Sequence, residues 1–186
     1  MSGEIRIIEA NLQKPIVMVG LMGAGKTKIG GLLAEALAIP FIDADAEIEK
    51  AAGCTIAEMF DRHGEPAFRD LERKVIARLL SNELKVIAPG GGAMMNAETA
   101  KLFEEKALVI WLKADLDTLV ERTGRNSKRP LLKNGDPREI LQGLMEIRYP
   151  VYEHADLTVE SSSAEPEVTL QRTIQMLEKH LEKTKV

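Results

Sequence analysis

The chain has 186 residues, the length of one domain, and its 45 % hydrophobic content is enough for a sizeable core. Twenty-five basic against 29 acidic side chains leave a net charge of −4 at pH 7, which argues against a global positive field of the kind that holds a nucleic-acid backbone. Cys54 is a lone cysteine and cannot form an intrachain disulfide, and the scattered His63, His154 and His180 offer no metal-ligand spacing.

Residues Met1 to Gln13 carry Glu4, Arg6 and Glu9 among apolar side chains, so they lack the unbroken apolar run of a signal peptide and read as a polar N-terminal extension. No later segment reaches the length of a membrane span, and a reducing, cytoplasmic setting is expected. Pro15 to Val19 is a short β-branched run ending at Gly20, which predicts a central strand buried on both faces. From Lys26 to Leu37, Ile29, Leu32, Leu33 and Leu37 recur at helical spacing. Pro40 to Asp43 is a second brief strand, and helical patterns follow over Ala46–Ala52, Ile56–His63 and Pro66–Leu80, punctuated by Gly53 and Gly64. Val86 to Ala88 runs as a strand into Gly90-Gly91-Gly92, and Ala107 to Leu112 is the clearest later strand. A helix over Leu116–Arg122 precedes a polar, basic stretch, Thr123 to Pro137, that reads as a mobile loop. Helices over Arg138–His154 and Pro166–Lys183, with a strand near Leu157–Val159 between them, complete the pattern. Such alternation predicts an α/β fold in one domain over residues 1–186, with a parallel sheet covered by helices on both faces.

Gly20 to Thr27 matches G-x-x-x-x-G-K-[ST] in the strand-before, helix-after setting that this phosphate-binding motif requires. Its glycines let consecutive backbone N–H groups turn toward the α- and β-phosphates of a nucleotide at a helix start. Lys26 then reaches the β- and γ-phosphates, and the Thr27 hydroxyl can ligate the bridging Mg²⁺. The motif does not separate kinases from ATPases or switches. No N-K-x-D segment for guanine is present.

Asp43 and Asp45 follow the second strand, where ligands of parallel sheets collect. One could hold Mg²⁺ through water and the other orient an acceptor hydroxyl; alternatively Asp45 caps the helix that starts at Ala46. Arg69 and Glu72 share a helical face, either as an exposed ion pair or with Arg69 free to grip a carboxylate in two-pronged fashion. The glycine triplet allows close approach of a ligand or is a loose turn. Arg129 in the basic loop and Arg148 on the next helix could supply positive charge to a transferring phosphoryl group, or the loop is simply solvated.

As a set, the Asp-x-Asp after the second strand, the F-R-x-x-E run, the glycine triplet and Arg129-Pro130-Leu131-Leu132 resemble shikimate kinase from about Pro15 to the last helix. The resemblance implies a three-layer P-loop kinase fold with a five-stranded parallel sheet. It implies transfer of the ATP γ-phosphate to the 3-hydroxyl of shikimate, in the chorismate route to aromatic amino acids, by a cytoplasmic monomer. It places Gly23, Ala24, Gly25, Lys26, Thr27 and Lys28 on the ATP phosphates, Arg122 against adenine, and Arg129 on a closing lid over Thr123–Pro137. Asp45, Arg69, Gly91 and Arg148 would contact shikimate, with both of these arginines on its carboxylate and Asp45 on its hydroxyls. Lys26, Asp45 and Arg129 would carry the catalysis, and Mg²⁺ would sit on Thr27 with Asp43 assisting through water. The rival expectations are a gluconate-type kinase, which needs no paired arginines here, and a P-loop module that binds nucleotide without transferring phosphate, which needs no acceptor pocket.

Overall fold

In the computed structural model, strand β1 (Ile16–Val19) is buried at all four positions, because it lies at the centre of the sheet with a neighbour on each side. The structure describes residues 2–81, 83–124, 135–162 and 165–184; Arg129 and most of the basic loop lie outside them. The remaining strands are β2 (Phe41–Asp43), β3 (Val86–Ala88), β4 (Leu108–Lys113) and β5 (Leu157–Glu160). All four pairings are parallel and the order is β2-β3-β1-β4-β5. The strand order therefore reverses at β1, whose carboxyl end opens the crevice where such sheets take their ligands.

Helices α1 (Ser2–Asn11), α2 (Lys26–Ala36), α3 (Ala44–Ala52), α4 (Ile56–Leu79), α5 (Ala97–Lys106), α6 (Leu116–Gly124), α7 (Pro137–Tyr152) and α8 (Pro166–Lys183) flank the sheet. Helix α8 packs on α1, α2 and β5, and α5 packs on β4 and α4. None among the described residues is long and apolar enough to cross a membrane.

Four local differences from the sequence reading have plain causes. The polar lead-in is a helix, because Ile5, Ile8 and Leu12 form one apolar stripe on the core and Ile8 is fully buried. The unread segment before β4 is α5, started by Asn96, whose side chain accepts from the Thr99 backbone N–H at 3.0 Å. Helix α3 begins two residues early because its cap is Asp43, not Asp45: Asp43 Oδ1 accepts from the N–H groups of Asp45 at 3.0 Å and Ala46 at 3.3 Å. The two helical patterns around Gly64 join into α4, with Gly64 non-helical at φ 76°, ψ 173° and Pro66 directly beyond.

Candidate active site

The segment from Gly20 to Gly25 turns out of β1 and feeds α2 through Gly25, whose φ of 99° lies in the left-handed region that glycine occupies without strain. Lys26, the first residue of α2, folds its ammonium back over the loop and donates to the carbonyls of Gly20 at 2.8 Å and Leu21 at 3.2 Å. Ala24 is buried and contributes backbone, and its carbonyl accepts from the Ser161 hydroxyl at 2.7 Å. Arg122, near the end of α6, donates to Gly23 O at 3.3 Å, to Ser161 Oγ at 3.0 Å and to Ser162 O. Ser161 is itself only 2 % exposed, so one guanidinium and one buried hydroxyl stitch the phosphate loop to α6 and to the segment after β5.

A cleft of about 610 Å³ opens beyond this loop, within the range of small-ligand sites. Gly23, Gly25, Lys26, Thr27, Lys28, Asp43, Asp45, Arg69, Gly91, Arg122 and Arg148 all line it. The structure thus brings together every described candidate except Ala24, whose side chain is turned into the core. Ile56, Phe60 and Phe68 add an apolar wall, with the two phenyl rings 4.7 Å apart and Arg69 5.1 Å above the Phe68 ring.

Parallel pairing sets Asp43 beside Ala88, two residues before the glycine triplet, so the ends of β2 and β3 are held together. The triplet is not loose. It leads into a 3₁₀ turn over Ala93–Met95, and none of its glycines has a positive φ. What each supplies is space: a Cβ on Gly90 would stand 2.9 Å from Asp45 Oδ1, on Gly91 3.0 Å from Arg148 Nη1, and on Gly92 2.8 Å from Arg69 Nη2. Three absent methyl groups therefore admit three side chains from α3, α7 and α4 to one floor.

Glu72 was legible in the sequence only as a helical neighbour of Arg69. It is 1 % exposed and accepts from Arg69 Nη1 at 2.7 Å, while Glu65 accepts from Nε at 3.3 Å and Nη2 at 3.2 Å. Burial, the largest influence, lowers the Arg69 pKa, but these carboxylates outweigh it and hold the group charged. Burial pushes the Glu72 carboxyl up against the pull of Arg69. Asp45 is pushed up to about 6 by burial first, then by the negative charges of Asp43 and Glu72, with Lys26 opposing. A carboxylate near neutrality, two arginines and a phosphate loop thus face one cavity, an arrangement suited to moving a phosphoryl group onto the hydroxyl of an anionic acceptor.

A family model described as shikimate kinase matches residues 22–178. Shikimate kinases of Brucella canis and Paramagnetospirillum magneticum are 51 % and 47 % identical over 170 and 176 residues, covering 91 % and 95 % of this chain and 85 % and 90 % of theirs. The solved shikimate kinase of Acinetobacter baumannii, in complex with shikimate, superposes with a TM-score of 0.85 at 34 % identity, covering 96 % of this chain and 99 % of that one. A gluconokinase from Sinorhizobium meliloti shares the fold alone, with a TM-score of 0.63 at 21 % identity over 94 % of this chain and 97 % of its own. A chain that carries the phosphate loop, the arginine-bearing cleft and these relatives over nearly its whole length belongs to the shikimate kinase family.

Proposed function

We propose that the cleft transfers the γ-phosphoryl group of ATP to the 3-hydroxyl of shikimate, and that Arg69 and Arg148 receive the acceptor's carboxylate while Asp45 addresses its ring hydroxyls. The observation that carries this reading is the convergence of these three side chains on the glycine triplet, at the lip of the phosphate loop. Two guanidiniums and one carboxylate suit a ligand with one carboxylate and several hydroxyls.

In the reaction the acceptor oxygen forms a bond to the γ-phosphorus as the bond to the β,γ-bridging oxygen breaks, and the hydroxyl proton leaves to Asp45 and then to solvent. With its pKa raised to about 6, Asp45 is mainly ionised at pH 7 and a stronger base than an ordinary carboxylate, as a proton acceptor requires. Lys26, already held over the loop, lies where charge gathers on the transferring oxygens, and its stabilisation counts most in the transition state. Thr27 and Asp43 line the same cleft and offer hard oxygen donors of the kind Mg²⁺ takes alongside phosphates. Thr27 would hold the ion directly and Asp43 through water, and the ion would supply positive charge that offsets the negative charge of the nucleotide's phosphates. Arg122 would flank the adenine. The expected loop Thr123–Pro137 is shorter than its sequence reading, since Thr123 and Gly124 end α6, with Thr123 buried and bonded to Leu119 O, and Pro137 opens α7. In this reading the basic segment between those helices is the lid and Arg129, outside the described residues, reaches the phosphates from it, the support being its basic sequence. On this reading the enzyme works as a single-domain monomer in the cytoplasm.

The test is ADP release coupled to a spectroscopic readout, over a panel of hydroxylated acids. Turnover with shikimate and none with gluconate is expected; the reverse order would sink the assignment of the acceptor.

A further inference from the structure

Arg148 sits one turn before the end of α7 in the run Arg148-Tyr149-Pro150-Val151-Tyr152. Pro150 has no N–H to give and removes one ladder bond from that last turn. The tyrosines on either side of it bond to different places. Tyr149 donates to Ala114 O beyond β4, and Tyr152 donates to Gly91 O in the glycine triplet. The Tyr152 side chain is 1 % exposed and wedged against Trp111 and Tyr149, with ring centroids 5.9 and 6.3 Å away, so its hydroxyl has one orientation available. The Arg148 guanidinium lies beside that oxygen: a Cβ on Gly91 would meet Arg148 Nη1 at 3.0 Å and the Tyr152 hydroxyl at 3.7 Å. A hydroxyl has one proton, and that proton goes to the Gly91 carbonyl, so the oxygen's lone pairs remain for the neighbouring guanidinium. Burial pushes Tyr152 up to about 12 against the pull of Arg148, so the proton stays in place at every working pH.

We propose that Tyr152 is a positioning residue of the acceptor site: its one hydroxyl ties the Arg148 guanidinium to the Gly91 carbonyl and so sets where the acceptor's carboxylate is received. This rests on the reading of Arg148 as a carboxylate ligand. Tyr152 does not line the cleft and acts only through Arg148 and Gly91. Removing the hydroxyl leaves a carbonyl and a guanidinium N–H without their partner while the ring and its packing stay.

The experiment is Tyr152→Phe in the full chain, with shikimate and ATP dissociation constants, kcat and Tm measured beside Arg148→Ala and the pair combined. Shikimate affinity should fall about five- to thirtyfold, with ATP affinity within twofold and kcat at saturating shikimate within about threefold. In the Arg148→Ala background, adding Tyr152→Phe should cost shikimate less than twofold, because the group it positions is gone. Tyr149→Phe, which removes a comparable hydroxyl bond not made to Arg148 or Gly91, should leave shikimate affinity within twofold. If Tyr152→Phe does not fold, Gly91→Ala presses the same guanidinium from the other side, at 3.0 Å, and should show the same selective loss of shikimate. Unchanged shikimate affinity in Tyr152→Phe, equal losses for ATP and shikimate, or an undiminished further loss on top of Arg148→Ala would each overturn the proposal. Shikimate affinity lost in Arg148→Ala but kept in Tyr152→Phe removes the positioning role alone. Affinity kept in Arg148→Ala removes the carboxylate reading and this proposal with it.

Discussion

Gly92→Ala puts the space-for-side-chain account of the glycine triplet at risk, because its effect has one source. Gly92 has φ −96° and ψ −7°, which alanine adopts freely, so the backbone registers no strain. The new Cβ would lie 2.8 Å from Arg69 Nη2, 3.2 Å from Nη1 and 3.3 Å from Cζ, where ordinary contact begins at 3.4 Å. The guanidinium must therefore retreat by 3.4 − 2.8 = 0.6 Å. It cannot do so freely, since Glu72 holds Nη1 at 2.7 Å and Glu65 holds Nε and Nη2. A charged hydrogen bond to the acceptor's carboxylate is worth about 1.5–3 kcal/mol, so losing its alignment should weaken shikimate roughly 10- to 150-fold. ATP affinity should stay within about twofold. Titration calorimetry with each ligand measures both, and Gly31→Ala, where nothing lies within 4 Å of the new methyl, is the matched control. Shikimate binding unchanged in a folded Gly92→Ala protein would refute both the confinement of Arg69 and its assignment to the carboxylate.

Lys26→Ala should lower kcat at least about a hundredfold in single-turnover measurements, since the ammonium stabilises charge that peaks during transfer; near-normal turnover would remove the phosphate-loop role. For Asp45, a folded pKa of about 6 against an ordinary value of 3.8 means the fold bears a penalty once the group ionises, absent below about pH 4 and complete above about pH 6. Asp45→Asn should therefore raise Tm at pH 8 on the order of 5 °C, an effect of roughly 1–3 kcal/mol, with no gain at pH 4, while kcat collapses. In the parent enzyme kcat should climb with pH through about 6; a flat profile would contradict proton acceptance by Asp45. Ser161→Ala removes the bond to Ala24 O and one acceptor of Arg122, and should weaken ATP about five- to tenfold in calorimetry without changing shikimate affinity.

Much of this architecture is legible in the residues because the elements obey strong local rules. Helix α8 has the predicted bounds, Pro166–Lys183, since proline at its start and an apolar stripe leave little choice. The phosphate loop reads directly because its chemistry is carried by backbone and by residues adjacent in sequence. Helix α5 was missed because Ala97 to Lys106 alternates charge with few apolar residues, and Phe103 finds its burial only in the assembled fold. The sequence offers the triplet as room for a ligand or as a loose turn; that it lines the cleft and also makes room for the protein's own Asp45, Arg69 and Arg148 is not legible, because contacts between residues so far apart in sequence leave no trace in local pattern. Tyr152 and Ser161 escaped for the same reason, and Glu72, legible as the ion-pair partner of Arg69, gave no sign of its burial: a buried polar residue looks like any other until the partner that satisfies it is in place.

The strand order divides the labour of the cleft. From β1 outward on one side, β3 and β2 and the helices after β2 bring the glycine floor, Asp45 and Arg69; on the other, β4 and β5 lead to Arg122 and Ser161 on the nucleotide loop. Arg148 and Tyr152 cross, reaching from α7 beyond β4 to the glycine floor. An acceptor gripped by Arg69 and Arg148 would then bridge the two halves like a toggle across a seam. Retargeting the enzyme to a different hydroxyl acid becomes a problem confined to the β2–α4 half, provided the new substrate keeps an anionic group for Arg148; an acceptor without one would bind a single bank of the cleft and leave the other unengaged.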